Sequence, residues 1–454
     1  MKKSLLYIIL TLSLPLKAET LSIDSCRALA LRYNKGREQA ALTTQQAVYV
    51  RRSARAMFFP ALSIQGFGLY DTGKGAQTLD FNSMLSPVLS GLGQLLAGQG
   101  LTLPEISLPG YDLKYKLGWV YLANLVMMQP LYMGGKIRAG YAMSKTAITM
   151  AGQNERLTDA QIIQEADEAY AKVVKAIELA EVARRYREML AELDRNVESA
   201  VRHGLRMPND RMKVQVKMDE VELQLLRAQN GVRLAKMNLC HVIGRPLLSD
   251  VEVSAEYPVV ADLAALQTSD ISSRPEAAIL DARVEMAARQ VDMARAEMLP
   301  QVGLMAKYGY LNGIAFNNKT LFDGWNFAGG ITVSIPLYHF GEHTNKVRAA
   351  KVREEQARLE REDKGELMVL ELMQAANNLD EARLEVRLME KSLEQAEMNV
   401  KLSRQQYEAG FETLSDYLEA QAQWQQSYEA KVDASFRLYL SGVAYLKAAG
   451  RLVE

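Results

Sequence analysis

The side chains in this sequence that could do chemistry are few and scattered. His339 and His343 have the i, i+4 spacing of two metal ligands on a helix, but Gly341 between them and a predicted strand-to-helix corner disfavour that geometry. The glycine-rich stretch 91–100 follows no predicted strand and lacks a Lys-Ser/Thr pair, which disfavours a phosphate-binding loop. No Ser/His/Asp or Cys/His set shares one segment. We therefore predict no catalytic centre, no metal site and no cofactor.

One pair of acidic residues is distinguished by its position. Asp416 and Glu419 follow Gly410 and lie three residues apart, which places them on one face of a helix. On the residues alone, this pair is interpreted as a solvent-exposed helix start, where the helix dipole favours acidic side chains.

Composition excludes several classes of protein. The chain has 454 residues, with 54 Lys and Arg against 54 Asp and Glu. A net charge of zero argues against nucleic-acid binding, which depends on an excess of basic residues. Two cysteines are too few for a disulfide scaffold or a cysteine-rich zinc site. Cys26 and Cys240 could pair in an oxidising compartment, but two buried free thiols are favoured.

Residues 1–18 have the features of a secretory signal peptide. Lys2 and Lys3 precede an apolar run over residues 5–14, and the segment ends in the small residue Ala18. The run is too short to cross a bilayer as a helix, and no later apolar window is long enough either. We therefore expect the mature protein to leave the cytoplasm without a transmembrane helix.

The rest of the sequence is predicted to contain two copies of one unit. Two groups of residues recur at one constant offset. The first copy contains Pro130-Leu131-Tyr132, Gly204, Asp210 and Gln215. The second copy contains the corresponding Pro336-Leu337-Tyr338, Gly410, Asp416 and Gln421. The first copy covers 19–243 and the second covers 274–450. The two copies are connected by residues 244–273, which we call the equatorial segment. The C-terminal end is formed by residues 451–454.

Each copy is predicted to run helix, strand, strand, long helix, helix. In the first copy these are helix 21–58, strands 61–70 and 117–128, long helix 136–204 and helix 209–243, with a long extracellular loop at 71–116. In the second copy they are helix 274–298, strands 301–311 and 326–336, long helix 342–409 and helix 413–449. Fold class is therefore mostly α with a transmembrane β part.

Residue periodicity supports these elements. The strands alternate apolar with small or polar residues over about ten positions and carry aromatic residues near their ends, as transmembrane barrel strands do. A soluble hairpin half-buried on a core is the alternative. The long helices contain no proline and would each span about 100 Å. Large residues recur every seven positions from Leu372 to Tyr407, and mostly small ones from Ala375 to Ser403, which is a coiled-coil heptad.

Strand count predicts an oligomer. Four strands cannot close a barrel, and an open sheet edge in lipid would leave backbone groups unpaired. Two chains would give eight strands and an interior filled by side chains. Three chains would give twelve strands and leave a lumen.

These features together resemble the TolC-type outer-membrane efflux protein family. The most specific motif is the second hairpin turn, residues 407–421 (YEAGFETLSDYLEAQ), and a weaker version begins at Gly204. The resemblance implies a homotrimer with a 12-stranded barrel in the outer membrane, continued by a 12-helix periplasmic barrel of coiled-coil hairpins. It implies an exit duct of a tripartite efflux pump or type I secretion system. Its partners would be outer-membrane lipid, a periplasmic adaptor and an inner-membrane transporter of the RND or ABC type.

The resemblance also assigns roles at the hairpin turns. Asp416 and Glu419 match acidic gate positions, and three copies would form two stacked carboxylate rings. Tyr407 and Asp210 match a pair that holds the closed tip by hydrogen bonding. Adaptor docking is expected at the turns themselves, namely at Gly204, Gly410, Thr413 and Leu414.

One position departs from the family pattern. Glu412 stands where the family has a basic residue, which removes a salt bridge of the closed tip. Arg404 or Arg206 would then replace it. A non-conducting trimeric coiled-coil spacer of the cell envelope is the competing function, and a periplasmic adaptor is disfavoured because this chain has two helical hairpins.

Overall fold

The computed structural model of the chain describes residues 20–452 except 71, 73, 80–82, 84, 87–88, 91–110, 255–256, 258–270 and 317–318. Its main helices are α1 (Ile23–Tyr33), α2 (Lys35–Ala56), α3 (Lys136–Arg202), α4 (Pro208–Val242), α5 (Pro275–Ala296), α6 (Glu342–Ala409) and α7 (Leu414–Ala448). Its strands are β1 (Thr20–Leu21), β2 (Ala61–Tyr70), β3 (Lys74–Leu79), β4 (Tyr111–Met133), β5 (Glu252–Val253), β6 (Gln301–Phe316) and β7 (Lys319–Ser334). None of the described helices has both the length and the apolar character needed to cross a bilayer. The predicted signal peptide lies outside the described residues.

The chain folds as two compact units. The strand unit comprises Tyr49–Ser144 and Ala287–Val352, and the helical unit comprises Met1–Val48, Lys145–Met286 and Arg353–Glu454. The strand unit contains β2, β3, β4, β6 and β7 with adjoining helix ends. The helical unit contains both hairpin turns, and with them every residue of the predicted gate.

The sheet of the strand unit has one continuous apolar face. Strands β2, β4, β6 and β7 pair antiparallel in that order. The register aligns Ile64 with Leu125, Leu125 with Tyr308, and Tyr308 with Phe327, so these side chains share one face. Ile64 is 83% exposed and Phe327 is 72% exposed. No part of the described chain covers this face.

Strand bounds differ from the sequence prediction at one end of the sheet. β4 begins at Tyr111 instead of 117, and the loop predicted at 71–116 contributes β3, which pairs with the start of β4. β6 likewise runs on to Phe316, and β7 begins at Lys319. Backbone hydrogen bonds extend these hairpins. The added residues are largely polar or glycine, so the alternation of apolar and polar residues that marks a strand is not visible there. β7 ends at Ser334, close to a proline that has no N–H for the ladder.

Proline is tolerated inside β4 by a local irregularity. The predicted strand ends at 128, but the strand continues through Pro130 to Met133. The register against β6 shifts between Pro130 and Tyr132. Such a bulge absorbs a residue that cannot donate a ladder hydrogen bond.

The predicted helix 21–58 is broken into α1 and α2 at Asn34. Asn34 has extended dihedrals, and its side-chain oxygen accepts a hydrogen bond from the backbone N–H of Gly36 at 2.7 Å. Asparagine side chains compete in this way with helical backbone bonds. The hydrophobic period runs through the break, which is why the pattern alone did not reveal it.

Four helices of the helical unit share one core near the turns. A single cluster includes Leu190 of α3, Val214 of α4, Ala396 of α6 and Trp424 of α7. The two heptad columns of α6 are largely buried, as shown by Leu372 and Leu379 with 5% exposure each and Ala375 and Ala382 with 9% and 4%. The columns predicted from the sequence therefore do form the packed side of this helix.

A second cluster attaches the N-terminal segment to α3 and α4. It contains Cys26, Tyr170 and Cys240, all buried, and both thiols are free. The connecting segment, 244–273, is described in part, and its strand β5 pairs in parallel with β1. The Nε and Nη2 atoms of Arg27 donate to the two carboxylate oxygens of Asp167, each at 2.7 Å. Asp167 is fully buried.

Candidate functional site

Both hairpin turns end their long helix in the same way. Gly204 and Gly410 have φ of 70° and 81°, a left-handed conformation that strongly favours glycine. The N–H of Gly204 donates to the carbonyl of Val201, and the N–H of Leu205 donates to that of Ala200. On α6 the N–H of Gly410 donates to the carbonyl of Tyr407, and the N–H of Phe411 donates to that of Gln406. This closure satisfies carbonyl groups that a helix end would otherwise leave unpaired.

The helices that follow the turns begin differently. α7 starts with a capping box, in which the Thr413 hydroxyl accepts from the Asp416 N–H at 3.3 Å and the Asp416 carboxylate accepts from the Thr413 N–H at 3.2 Å. α4 has Met207 at the cap position with no side-chain hydrogen bond and begins with Pro208. The second turn is therefore the better fixed by side chains.

Both predicted gate acids are exposed. Asp416 and Glu419 lie on the solvent side of the first turns of α7, while Leu414, Tyr417 and Leu418 face the core. The Asp416 carboxylate also accepts from the Thr413 hydroxyl at 2.6 Å. Asp416 thus stabilises the start of the helix whatever else it does, and its negative charge remains accessible.

Leu414 differs from its predicted role. Its side chain is only 3% exposed and packs in the four-helix cluster, so it is not available for docking on the surface of this chain. The exposed apolar residues of the turns are instead Leu205, Met207 and Phe411, with 77%, 72% and 88% exposure. The sequence alone does not show that Leu414 is buried while Phe411 is exposed, because this difference depends on how the helices pack.

Tyr407 occupies the centre of the contacts between the two turns. Its ring stacks on that of Tyr417 with 5.5 Å between centroids, and the guanidinium of Arg206 lies 4.6 Å from its centroid. An Nη2 atom of Arg206 also donates to the Tyr407 carbonyl at 3.4 Å. Burial raises the pKa of the Tyr407 hydroxyl, the positive charge of Arg206 lowers it, and the negative charge of Asp210 raises it.

Asp210 is near Tyr407 but is paired elsewhere. Its carboxylate lies 3.7 Å from the amine of Lys213 on the same helix. Among the hydrogen bonds of the described residues, none joins Asp210 to Tyr407. That hydrogen bond therefore stays a prediction for the assembled protein.

Two arginines link the turns across elements. Besides Arg206, Arg404 donates to Glu192 of α3 at 2.6 Å and to Glu408 of its own helix at 3.0 Å. These are the residues that the sequence offered in place of a basic residue at 412. Their partners were not predicted, because Glu192 and Arg404 are distant in sequence and no motif connects them.

The histidine pair is not on one helix. α6 begins at Glu342, so His343 is helical and His339 is not. Phe340 and Gly341 between them have φ of 48° and 86°. The rings meet edge to face at 4.3 Å between centroids, which is a packing contact.

Comparison with known proteins supports the resemblance drawn from the sequence. Residues 270–451 match the family model of the outer membrane efflux protein. Alkaline protease secretion protein AprF of Pseudomonas aeruginosa is 26% identical over 348 residues, which cover 73% of this chain and 68% of AprF. Outer membrane efflux protein BepC of Brucella suis is 22% identical over 329 residues, covering 72% of each.

Solved structures share the fold over nearly the whole chain. The outer membrane protein VceC of Vibrio cholerae has a TM-score of 0.73 at 18% identity, over 94% of this chain and 96% of VceC. The outer membrane channel CmeC of Campylobacter jejuni has a TM-score of 0.71 at 17% identity, over 96% and 90%. Residues 270–451 thus resemble outer membrane efflux proteins, and the fold over nearly the whole chain is similar to that of solved outer-membrane channels.

Proposed function

We propose that this chain is the outer-membrane exit duct of a tripartite efflux pump or type I secretion system. It passively conducts substrates from a periplasmic entrance through the outer membrane, and it is gated at the hairpin turns. The names of its relatives support both uses, because AprF is named for protease secretion and BepC for efflux. The chemistry is that of a pore, in which wall charges and an adjustable constriction replace a catalytic centre.

The exposed apolar face of the sheet carries this proposal. β2 has ten residues, the length that a tilted strand needs to cross a bilayer. Aromatic side chains gather at one end of that face, where Trp119 stacks on Tyr121 and Trp325 stacks on Tyr308. Transmembrane barrel strands carry such aromatic residues at the boundary between lipid and water.

The edges of the sheet support a homotrimer. β2 and β7 stand at the two ends of the described strand order. Unpaired edges in lipid would each leave a row of backbone groups without partners, so neighbouring copies supply the pairing. Three copies would close twelve strands around a lumen and contribute twelve long helical segments.

The gate is formed by charge and by turn contacts. Three copies of the exposed pair Asp416 and Glu419 would form two carboxylate rings that attract cations and repel anions. The closed state is held by the stacking of Arg206 on Tyr407 and by the ion pair of Arg404 with Glu192. An adaptor protein of the periplasm docks at the turns, where Phe411 and Leu205 offer exposed apolar contacts.

A conductance measurement with isosteric variants tests the duct. Purified protein in a planar bilayer is expected to give stepwise, cation-selective currents. Asp416→Asn with Glu419→Gln removes both negative charges while Asn keeps an acceptor oxygen for the cap of α7, so cation selectivity should fall. The matched control is Glu394→Gln with Glu397→Gln, an exposed pair of the same spacing on α6, which should leave selectivity unchanged.

The two outcomes separate the duct from its alternative. Assembled protein that inserts into bilayers without any current would contradict the duct and favour a structural spacer. Currents whose selectivity survives the loss of Asp416 and Glu419 charges would keep the duct but remove this pair from the lumen.

A further inference from the structure

A cavity of about 510 Å³ lies in the strand unit where β4 turns into α3. Its lining includes Gly135 and Arg138 at the start of α3, Arg289, Asp292 and Arg295 near the end of α5, and Leu299 in the turn before β6. The gate proposed above uses none of these residues. A cavity of this size holds a small ligand or the head of a larger one.

Its charge is strongly positive. Three guanidinium groups face one carboxylate in the lining. Asp292 lies 3.4 Å from Arg289 and 3.7 Å from Arg295. Arg138 makes no ion pair with any residue that the structure describes, and it is exposed. The cavity therefore has a surplus of positive charge for an anionic ligand.

The backbone adds donors to the same cavity. The first intrahelical bond of α3 runs from the N–H of Ala139 to the carbonyl of Gly135 at 2.9 Å. The N–H groups of the residues between them consequently have no helical acceptor and are directed toward the turn. The positive end of the helix dipole and these donors act together with the guanidinium groups on a bound anion.

Exposed apolar and aromatic side chains lie at the same end of the sheet as the cavity. The start of β2, the end of β4, the start of β6 and the end of β7 come together here by their register. Exposed side chains at these ends are Phe58, Tyr132, Met298, Leu299 and Tyr338, which are 39% to 73% exposed. Arginines beside an aromatic belt are typical of the boundary between lipid and water, where phosphate groups lie.

We propose that this cavity binds the phosphate group of a membrane phospholipid. Arg138 and Arg295 hold the phosphodiester oxygens through paired N–H donors, a geometry that the planar guanidinium suits better than the amine of lysine. The acyl chains lie along the exposed apolar face of the strands. The site rests on the proposed placement of this sheet in the outer membrane.

Native mass spectrometry of the detergent-solubilised protein tests this site. The probes are dioctanoyl phosphatidylglycerol, dioctanoylglycerol (which lacks the phosphate) and inorganic phosphate. Wild-type protein should retain phosphatidylglycerol, and Arg138→Gln with Arg295→Gln should weaken retention roughly tenfold or more, because each lost charge-assisted hydrogen bond contributes about that factor. Arg138→Lys with Arg295→Lys keeps the charge and should lose less. The control, Arg233→Gln with Arg358→Gln, removes two exposed arginines of the helical unit and should retain lipid as the wild type does.

Three results would overturn the proposal. Equal retention of phosphatidylglycerol by the glutamine variant and the control would exclude the arginines. Equal retention of dioctanoylglycerol, which has no phosphate, would mean that acyl chains alone bind. Displacement of lipid by an equal concentration of inorganic phosphate would make free phosphate the ligand. Lipid retention and bilayer current are measured independently. A conducting protein without bound lipid would refute only this site. A lipid-binding protein without current would refute only the duct.

Discussion

At the scale of single residues, the turns depend on an arginine that contacts an aromatic ring. Arg206 lies over Tyr407 and also donates to its carbonyl, so one side chain of the first turn holds the end of α6 by two contacts. Tyr407 is buried, and its ring also stacks on that of Tyr417. Arg206 is therefore the residue whose removal should loosen the contact between the turns with least damage to either helix.

We predict that Arg206→Gln increases local opening of the turns. The loss of the cation–π contact removes about 0.5–1 kcal/mol, while glutamine keeps a donor for the carbonyl. Hydrogen–deuterium exchange should accelerate in peptides that contain residues 200–210 and 403–415. The control is Arg202→Gln, an exposed arginine on the last turn of α3. Unchanged exchange in both peptides would show that Arg206 does not hold the turns.

A buried thiol provides a second test at this scale. Burial raises the pKa of Cys26 to about 11, against an opposing effect of Arg245. At pH 8 only about one thiol in a thousand is then thiolate, the form that alkylating reagents attack. We expect iodoacetamide to leave Cys26 unmodified in the folded protein and to modify it rapidly after denaturation, as measured by peptide mass spectrometry. Rapid labelling of folded protein would contradict the burial.

The same shift has a definite sign in stability. Because the folded pKa of Cys26 lies above the value of a free thiol, the neutral form is favoured by folding. Its contribution is complete below about pH 8.5 and is lost as pH rises through 11. Labelling of Cys26 should therefore rise steeply only on the alkaline side of this range.

Residues linked by a local pattern could be predicted, and residues linked only by folding could not. Thr413 and Asp416 lie three apart at a helix start, and that spacing is itself a signal of a helix N-terminus. Arg206 and Tyr407 are separated by most of the second copy, so their contact depends on how two hairpins pack. Leu414 shows the same limit, because helix-start chemistry does not say which side chain points inward.

At the scale of elements, α1 is fastened to α3 by an ion pair with a buried carboxylate. Arg27 of α1 engages both oxygens of Asp167, whose burial raises its pKa while the arginine opposes that shift. Buried pairs of this kind add little over an apolar substitute, but breaking one partner leaves an unpaired buried charge. The pair thus determines where α1 can pack.

We predict that Arg27→Ala destabilises the helical unit by about 3–5 kcal/mol at neutral pH. The penalty should shrink as pH falls, because protonation of Asp167 removes the unpaired charge. Asp24→Ala is the control. The Asp24 carboxylate also pairs with Arg27, at 3.5 Å, but it is 85% exposed, and an exposed ion pair contributes little to stability. Denaturant unfolding at pH 7.5 and pH 5 measures both, and equal stabilities of the two variants would contradict the prediction.

The long helices could be predicted from the hydrophobic period and the positions of prolines. The break in the first helix and the extension of the strands could not. The helices at 136 and 342 begin where predicted, because a change from period two to a heptad is a strong signal. The break at Asn34 and the pairing of β3 with β4 arise from one side-chain hydrogen bond and from backbone ladders. Neither leaves a periodic trace in the sequence.

At the scale of the whole molecule, one chain exposes apolar surface that a helical protein normally buries. A stripe on one side of α4 is formed by Met212, Val216, Leu223, Leu226 and Leu234, which are 47% to 65% exposed. Their spacing keeps them on one face over the length of the helix. Stripes of this kind mark surfaces between proteins, and in the proposed trimer a neighbouring copy covers this one.

We therefore predict that Leu223→Lys with Leu226→Lys prevents assembly. Two charges buried between copies would lack partners, and their desolvation would cost more free energy than the remaining apolar residues of the stripe provide. Light scattering on size-exclusion chromatography in detergent should give the mass of three chains for the wild type and of one chain for the variant. Leu223→Met with Leu226→Met keeps the apolar stripe and should remain assembled. A trimeric lysine variant would place this surface outside the interface, and a monomeric wild type would contradict the assembly on which the duct and its carboxylate rings depend.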